Sequence, residues 1–434
     1  MRSYRKVLFL WLAGLLSLPV VMAQGGDTLS LPACFRLATE RFPLTGGRPL
    51  LQQEIILKDE SLKSAWYPKM DLGAQASYYS DVVTIDIQPA IPGVTFPQPY
   101  HDQYALTFDL HQMIYDGGAV KNERSVEKLS NEVRQQDLEV KLYAFKQDLA
   151  HIFFSALFLD DNYAMLRQNM QQLEKALAEA ETAHRQGVLL QGDVNVLKAA
   201  QLDIRQKMTV NRHDRRAVVR LLGMYLDTVF SPALVFTVPP PETAGMAGMR
   251  PEQKMFSLQA SRLDAGIRLQ QVKRRPMLYG FGQVGYGRPG LNPLNLDFKP
   301  FYLVGARLTW NIWDWNRSGR EKKILSFEQQ MIGHEEELFN RKIRASLVRV
   351  GEDIDKLKEI IALDSERVVL RQAITEEYAG KLSGGTITPA EYERQFTAWQ
   401  NAGIQLNLHR RQLLEKKIEY LVIKGNLNDY EAKK

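Results

Sequence analysis

The chain of 434 residues contains one cysteine, Cys34, so a framework of internal disulfides is excluded. Its seven histidines are scattered and lack the spacing of metal ligands. No nucleophilic triad is recognisable as a motif. The sequence therefore predicts no metal site, no cofactor and no enzymatic activity, and it leaves the role of Cys34 open.

Long apolar runs are also scarce. After residue 23 no stretch reaches the ~18 uninterrupted apolar residues of a membrane-spanning helix, so a membrane-bound mature chain would have to use strands. Residues 1–23 are predicted to be an export signal, because three basic residues precede the apolar run 7–18 and small residues follow it. That run is short for a membrane anchor and ends at Pro19.

A strong charge of one sign is missing once the signal is removed. The net charge falls from +6 to +3, because the signal carries three basic residues and no acid. A near-balanced chain has no basic face of the kind that nucleic acid requires. The sequence therefore predicts no nucleic acid partner.

Proline is missing from residues 119–226, which read as a very long helix that turns and comes back. As one helix, residues 119–186 would measure ~100 Å at ~1.5 Å per residue, too long for an ordinary globular core. Two long helical hairpins are predicted, 119–228 and 317–425, from apolar residues at heptad spacing. These residues are Leu166, Met170, Leu173, Leu177 and Ala180 in the first hairpin, and Ile343, Leu347, Val350, Ile354, Leu357 and Ile361 in the second.

Ahead of each hairpin the apolar period changes to two, which predicts strands. The predicted strands are 69–80, 103–114, 277–287 and 301–313, each about ten residues long, as a tilted transmembrane strand requires. A proline-rich loop separates the first two. The third strand is assigned mainly by its match to the first.

The two halves of the chain repeat the same order of features. Residues 114–116 match residues 312–314 at an offset of 198, and Gly187 matches Gly385 at the same offset. This order predicts an internal duplication. The predicted divisions are a first repeat 24–228, a linker 229–250, a second repeat 251–425 and a C-terminal tail 426–434.

Four amphipathic strands cannot cross a bilayer as an open sheet, because the edge groups would be unpaired in hydrocarbon. Bacterial barrels have at least ~8 strands, so several chains would have to share one barrel. Strand counting allows two chains or three. The polar strand face would line the lumen of that barrel and the apolar face would contact outer-membrane lipid. The predicted lumen residues are Asp71, Gln75, Thr107, Asp109, His111, Arg307, Thr309 and Asn311.

The duplicated order of strands and long hairpins behind a signal resembles the TolC family of outer-membrane efflux channels. The resemblance covers the strand exits 115–118 and 313–314 and the helical turns 187–194 and 385–392. It implies a homotrimer with a twelve-stranded barrel in the outer membrane of a Gram-negative bacterium and a helical tunnel in the periplasm. It further implies a passive duct for efflux or type I secretion, docked on a periplasmic adaptor that is joined to an inner-membrane transporter.

The resemblance also assigns a periplasmic tip. The tip and adaptor-docking residues are Gly187, Val188, Leu189, Gln191, Gly192, Asp193, Gly385, Thr386, Pro389, Glu391 and Tyr392. Asp193, Glu391 and Arg394 form the candidate gate. The simpler role of both acids is helix capping, because each begins a returning helix. Arg394 stands where the family often has a second acid, and it could neutralise Glu391 at i,i+3.

Two rival interpretations compete with the channel. Residues 280–285 match a dinucleotide-binding glycine pattern, but prolines follow where that site needs a helix. An exported trimeric coiled-coil structural protein or adhesin with a β-barrel anchor would have its strands at one terminus, whereas the strands here occur twice. The cargo, the pump class, the adaptor and the resting state of the tip stay open.

Overall fold

The computed structural model describes residues 28–82, 98–239, 248–293, 295–427 and 430. The predicted export signal, residues 1–23, lies outside this range, as does most of the proline-rich loop between the first two strands. Within the described residues, no helix combines the length and the apolar content that crossing a membrane requires.

Seven α-helices, six β-strands and two short 3₁₀ helices, Pro43–Gly46 and Ser64–Trp66, make up the regular structure of the described residues. The helices are α1 (Leu31–Arg41), α2 (Gly47–Lys63), α3 (Ala119–Arg185), α4 (Gln191–Tyr225), α5 (Pro251–Val272), α6 (Arg317–Ser383) and α7 (Pro389–Lys424). The strands are β1 (Thr28–Ser30), β2 (Lys69–Tyr78), β3 (Asp102–Tyr115), β4 (Val235–Thr237), β5 (Met277–Arg288) and β6 (Lys299–Thr309).

The two longest helices, α3 and α6, each contain 67 residues and measure about 100 Å at ~1.5 Å per residue. Each turns back into a shorter helix, α4 of 35 residues or α7 of 36 residues. Both ends of α6 follow the corresponding ends of α3 by 198 positions. The heptad stripes lie on the packed sides, because Leu166 and Leu173 of α3 and Val350 and Leu357 of α6 are buried.

One stripe of α3 contacts α2 and then α4. Asn131 Nδ2 donates to the Leu51 carbonyl of α2 at 2.7 Å. Four heptads further along α3, the Leu159 carbonyl accepts from Asn211 Nδ2 of α4 at 3.1 Å. The two shorter helices therefore follow one another along the same side of α3.

A second stripe of α3 contacts α5 and then α7. Gln136 Nε2 donates to the Pro251 carbonyl of α5 at 2.8 Å, and the Tyr143 hydroxyl donates to the Val422 carbonyl of α7 at 2.5 Å. Helix α6 packs against α5 and α7 in turn. The helices thus follow one another in the order α2 with α4, then α3, then α5 with α7, then α6, and α4 also packs directly against α7.

A separate core surrounds α1 beside the middle of α3. There β1 and β4 pair in parallel, so the segment 229–250 that was predicted to be a linker contributes a strand to the core. The predicted tail 426–434 likewise begins inside it, because Leu427 and Tyr430 are buried. Cys34 is fully buried in the same core. Burial raises the pKa of its thiol to about 12, which keeps the thiol protonated and unreactive.

The other four strands form one antiparallel sheet in the order β2-β3-β5-β6. Strand β6 ends at Thr309, opposite Met277, which is the first residue of β5. Pro276 precedes Met277 and has no N–H with which to continue the ladder. The predicted strand 301–313 was therefore too long, and Asn311 lies beyond the sheet.

Candidate functional site

One face of the sheet carries the polar residues that were predicted to line a lumen. Asp71, Asp109 and Gln283 are neighbours on β2, β3 and β5. Gln283 Nε2 donates to Asp109 Oδ1 at 2.6 Å, and Thr107 Oγ1 donates to Asp109 Oδ2 at 2.9 Å. Strand alternation brings the other predicted lumen residues except Asn311 to the same face: Gln75, His111, Arg307 and Thr309.

The opposite face of the sheet is apolar and exposed. One row across the four strands consists of Leu72, Phe108, Val284 and Tyr302, with exposed fractions of 75%, 45%, 59% and 76%. A contiguous apolar face of this kind marks contact with a membrane or with another protein. The alternation along the strands therefore separates a polar face from an apolar one.

The sheet is curved toward its polar face. Tyr67 and Lys69, at the start of β2, and Arg307 and Thr309, at the end of β6, line one cavity of about 430 Å³. Strands β3 and β5 lie between these two edge strands, so only a concave sheet lets both edges border the same cavity. The polar face is thus the inner face of the curve.

Glycines on β5 and β6 make room for two aromatic rings on this concave face. A Cβ at Gly305 would lie 2.6 Å from the Phe281 ring, and a Cβ at Gly285 would lie 2.3 Å from the Phe301 ring. Each ring thus covers a glycine of the neighbouring strand, which shields the exposed backbone. The glycine pattern at 280–285 lies inside β5 and opens no helix, so the nucleotide-binding interpretation lacks its required context.

At the other end of the molecule, α3 and α6 finish in the same turn. Gly187 and Gly385 adopt left-handed conformations with φ of +79° and +70°, which favour glycine. The amides of Val188 and Thr386 each donate to the carbonyl five residues earlier, at 2.9 and 3.0 Å. These bonds satisfy carbonyls at the helix ends, as in a Schellman motif.

Two acids cap the returning helices. Asp193 Oδ2 accepts from the Leu190 amide at 3.2 Å, and Glu391 Oε2 accepts from the Thr388 amide at 2.9 Å. Thr388 Oγ1 also accepts from the Glu391 amide at 3.3 Å, which completes a capping box. The bonds from Thr388, and more weakly the charge of Arg394, hold the pKa of Glu391 below its usual value. In the described chain Glu391 and Arg394 do not form an ion pair.

Burial divides the predicted tip residues into two groups. Val188 is 61% exposed, and Leu190, which was not among the predicted tip residues, is 77% exposed. Pro389 and Tyr392 are instead buried, and Tyr392 stacks on Phe396 with 5.8 Å between ring centroids. Their side chains pack into the protein, and their assignment to the adaptor-docking tip stays a prediction. The other predicted tip residues lie in the two turns or just after them: Gly187, Leu189, Gln191, Gly192, Asp193, Gly385, Thr386 and Glu391.

Comparison with solved structures identifies the architecture. The outer membrane protein VceC of Vibrio cholerae superposes with a TM-score of 0.67 at 13% identity, over 91% of this chain and 96% of that chain. The CmeC outer membrane channel of Campylobacter jejuni gives 0.64 at 11% identity, over 91% and 85%. The open MtrE outer membrane channel of Neisseria gonorrhoeae gives 0.65 at 12% identity, over 92% and 89%. This chain has the fold of these outer-membrane channels.

The likeness is one of structure, since no family model and no curated protein matches the sequence. At 11 to 13% identity it establishes the fold rather than the activity. As a likeness of fold, it confirms the predicted resemblance and the predicted combination of long helical hairpins with a sheet of amphipathic strands.

Proposed function

We propose that the protein is the outer-membrane channel of a tripartite efflux or type I secretion system. It is a passive exit duct in the outer membrane of a Gram-negative bacterium and extends into the periplasm. A periplasmic adaptor and an inner-membrane transporter deliver the substrate and supply the free energy. The proposal is carried by one observation: a concave sheet, polar inside and apolar outside, continues into helices about 100 Å long.

The edge strands support assembly into a barrel. In the described chain β2 and β6 each have a strand partner on one side only. Unpaired backbone groups are costly in lipid, and pairing β6 of one chain with β2 of the next removes both edges. Three chains, the number that the family resemblance implies, would form a twelve-stranded barrel with the polar face inside and the apolar face against lipid.

The free flanks of the helical layer support the same homotrimer. Helix α6 forms one flank, and it exposes apolar residues at heptad spacing: Ile324, Phe327, Met331 and Leu338. The other flank, formed by α2 and α4, exposes Leu57 and Leu202. When the α6 flank of one chain packs on the α2 and α4 flank of the next, both apolar surfaces are removed from water. Repeating this contact closes a ring of helices.

The constant offset in residue number between the ends of α3 and those of α6 supports an internal duplication. The two helices have equal length, and both pairs of ends differ by 198 positions. Each half of the chain also supplies two strands of the sheet. A trimer would therefore contain six similar units around its axis.

The hairpin tips are the proposed docking end for the adaptor. A Cβ at Gly385 would lie 3.7 Å from Val188 Cγ1, so the two tips of one chain adjoin. The exposed side chains of Val188 and Leu190 offer apolar contact area there. Asp193 and Glu391 are primarily helix caps, and in a trimer they and Arg394 would lie around the periplasmic opening.

Two measurements test the proposal together. The protein is extracted from outer-membrane fractions in detergent, its mass is determined, and its conductance is recorded in planar bilayers with and without adaptor. A trimer that conducts is expected. A soluble monomer without affinity for lipid would overturn the proposal. A membrane-anchored trimer that never conducts would favour the adhesin instead.

The helical interface has its own test. Phe327→Glu places a charge in the exposed α6 stripe, so we expect loss of the trimer in detergent with the helix content of the protomer retained. Glu328→Lys, the neighbouring exposed position, is the matched control and should leave the trimer intact. Equal trimer yields from both variants would show that this flank of α6 is not an interface.

A further inference from the structure

A cavity lies on the concave face of the sheet, at the end that adjoins the helices, and its lining has a chemistry that the proposed duct does not require. It lies where the strands meet the helical part, because Ala65 and Tyr67, in the segment that connects α2 to β2, border it. Its volume is about 430 Å³, within the range of pockets that hold small organic molecules. Its chemistry is decided by three aromatic residues, Tyr67, Tyr279 and Phe281, and by Lys69, His111 and Arg307.

The charge of this cavity is unbalanced. Two basic side chains, Lys69 and Arg307, line it, and no acid does. Among the described residues, no carboxylate oxygen lies within 4.0 Å of the Lys69 ammonium or the Arg307 guanidinium. The nearest acids in the strand register are Asp71 and Asp109, two residues along β2 and β3 from Lys69 and His111. Asp109 is already bonded to two neighbouring side chains.

The aromatic walls complete the site. The Arg307 guanidinium carbon lies over the Phe281 ring, 5.6 Å from its centre. In the described chain its N–H groups have no acceptor, although an arginine fork matches a carboxylate or a sulfonate closely. Tyr279 lies directly beside Arg307 in the strand register and offers a second ring.

We propose that this cavity is a binding site for small aromatic anions that pass through the duct. The anionic group is held by Arg307 and Lys69, and the ring of the ligand packs on Phe281 and Tyr279. This inference rests on the proposed channel function, because it needs the concave face to line a lumen. In a trimer three copies of the site would face the same passage.

The test is block of single-channel current by 2-naphthoate, recorded with the intact trimer in planar bilayers. The double variant Lys69→Gln/Arg307→Gln is expected to weaken the block on the order of tenfold, which corresponds to ~1.4 kcal/mol. Lys299→Gln is the matched control, since Lys299 lies on the same sheet face at the outer end, 3.6 Å from Asp297. It should leave the block unchanged.

Two further probes define the ligand class. Cyclohexanecarboxylate keeps the anion without the aromatic ring, and 2-naphthylmethylamine keeps the ring with the opposite charge. Both should block the wild-type channel less than 2-naphthoate does. Equal block by all three compounds would overturn the inference. So would equal block of the wild type and the double variant by 2-naphthoate. Neither result would contradict the proposed channel function. Absence of any pore in the wild type would instead overturn the proposed function.

Discussion

The ring of Phe281 lies over the backbone of Gly305 on the adjacent strand, so that a Cβ at this glycine would lie 2.6 Å from the ring. A side chain at residue 305 must therefore displace the ring or the strand. We expect Gly305→Val to destabilise the sheet by roughly 1–3 kcal/mol, the usual cost of overpacking. The yield of heat-resistant trimer on gels reports the loss.

Gly282 provides the control for this prediction. It lies on the outer face of β5, and a Cβ there would meet nothing within 4 Å. Gly282→Ala should assemble like the wild type. If Gly305→Val assembled equally well, the packing of Phe281 on this glycine would be irrelevant to the sheet.

The turn at the end of α6 predicts a defect in transport rather than in assembly. Gly385 has φ of +70°, a conformation that β-branched residues avoid. Gly385→Val should distort the tip beside Val188 and reduce export, while insertion into the membrane is unchanged because the sheet is far away. Export of a reporter substrate and outer-membrane fractionation measure the two effects.

The control for Gly385→Val is a substitution at Gly380, about one turn earlier within α6. Gly380 is helical and a Cβ there would meet nothing within 4 Å, so Gly380→Ala should keep export and favour the helix by ~1 kcal/mol. Normal export by Gly385→Val would contradict the assignment of this turn to the docking end. Gly187→Val, at φ of +79°, repeats the test on the first hairpin.

The apolar outer face predicts depth-dependent sensitivity to charge. Phe108 lies in the central row of that face, so Phe108→Arg should cost roughly 2–4 kcal/mol if the row is near the bilayer midplane. Leu106→Arg on the same face should behave similarly. Gln75→Arg places the same charge on the concave face and should be tolerated. Urea titration of the trimer in detergent or vesicles measures the stability of the three variants. Similar midpoints would mean that Phe108 and Leu106 do not face lipid, and a lower midpoint for Gln75→Arg alone would mean that the two faces are reversed.

The contact between α2 and α3 predicts a pH dependence. Hydrogen bonds from Arg124 and then Lys63 lower the pKa of Asp59 from 3.8 to about 2. Because the folded-state pKa is the lower one, the ionised carboxylate stabilises the fold above pH 3.8, and this contribution is lost as the pH falls toward about 2. Asp59→Asn should therefore lower the Tm at neutral pH and make no difference at pH about 2. A difference in Tm that persists at the acidic end would mean that the substitution acts through packing.

Several features could be predicted because they depend on local periodicity. The heptad positions Leu166, Leu173 and Val350 are buried, since a helix puts residues at this spacing on one side wherever its partner lies. Asp71 and Thr107 fall on the polar face for the same kind of reason, with a period of two.

Other features needed contacts between distant segments. β6 stops at Thr309 because its partner strand begins at Met277, and no pattern inside β6 indicates that end. Tyr392 was assigned to the docking tip from the resemblance of the segment 385–392, and only the structure shows that the neighbouring hairpin buries its side chain. Leu190 gave no signal, because an exposed leucine in a turn cannot be told from a buried one by sequence.

The sequence by itself determined the long hairpins, the strand segments and their two kinds of face, because the spacing of apolar residues along a chain sets which side of a helix or strand must be covered. Only the tertiary structure decided that β3 lies beside β5, that the sheet curves toward its polar face, and that Lys69 and Arg307 border one cavity. These last relationships depend on the pairing of β3 with β5, which joins the two halves of the chain, and on the packing of Phe281 and Phe301 over glycines of the neighbouring strands β6 and β5.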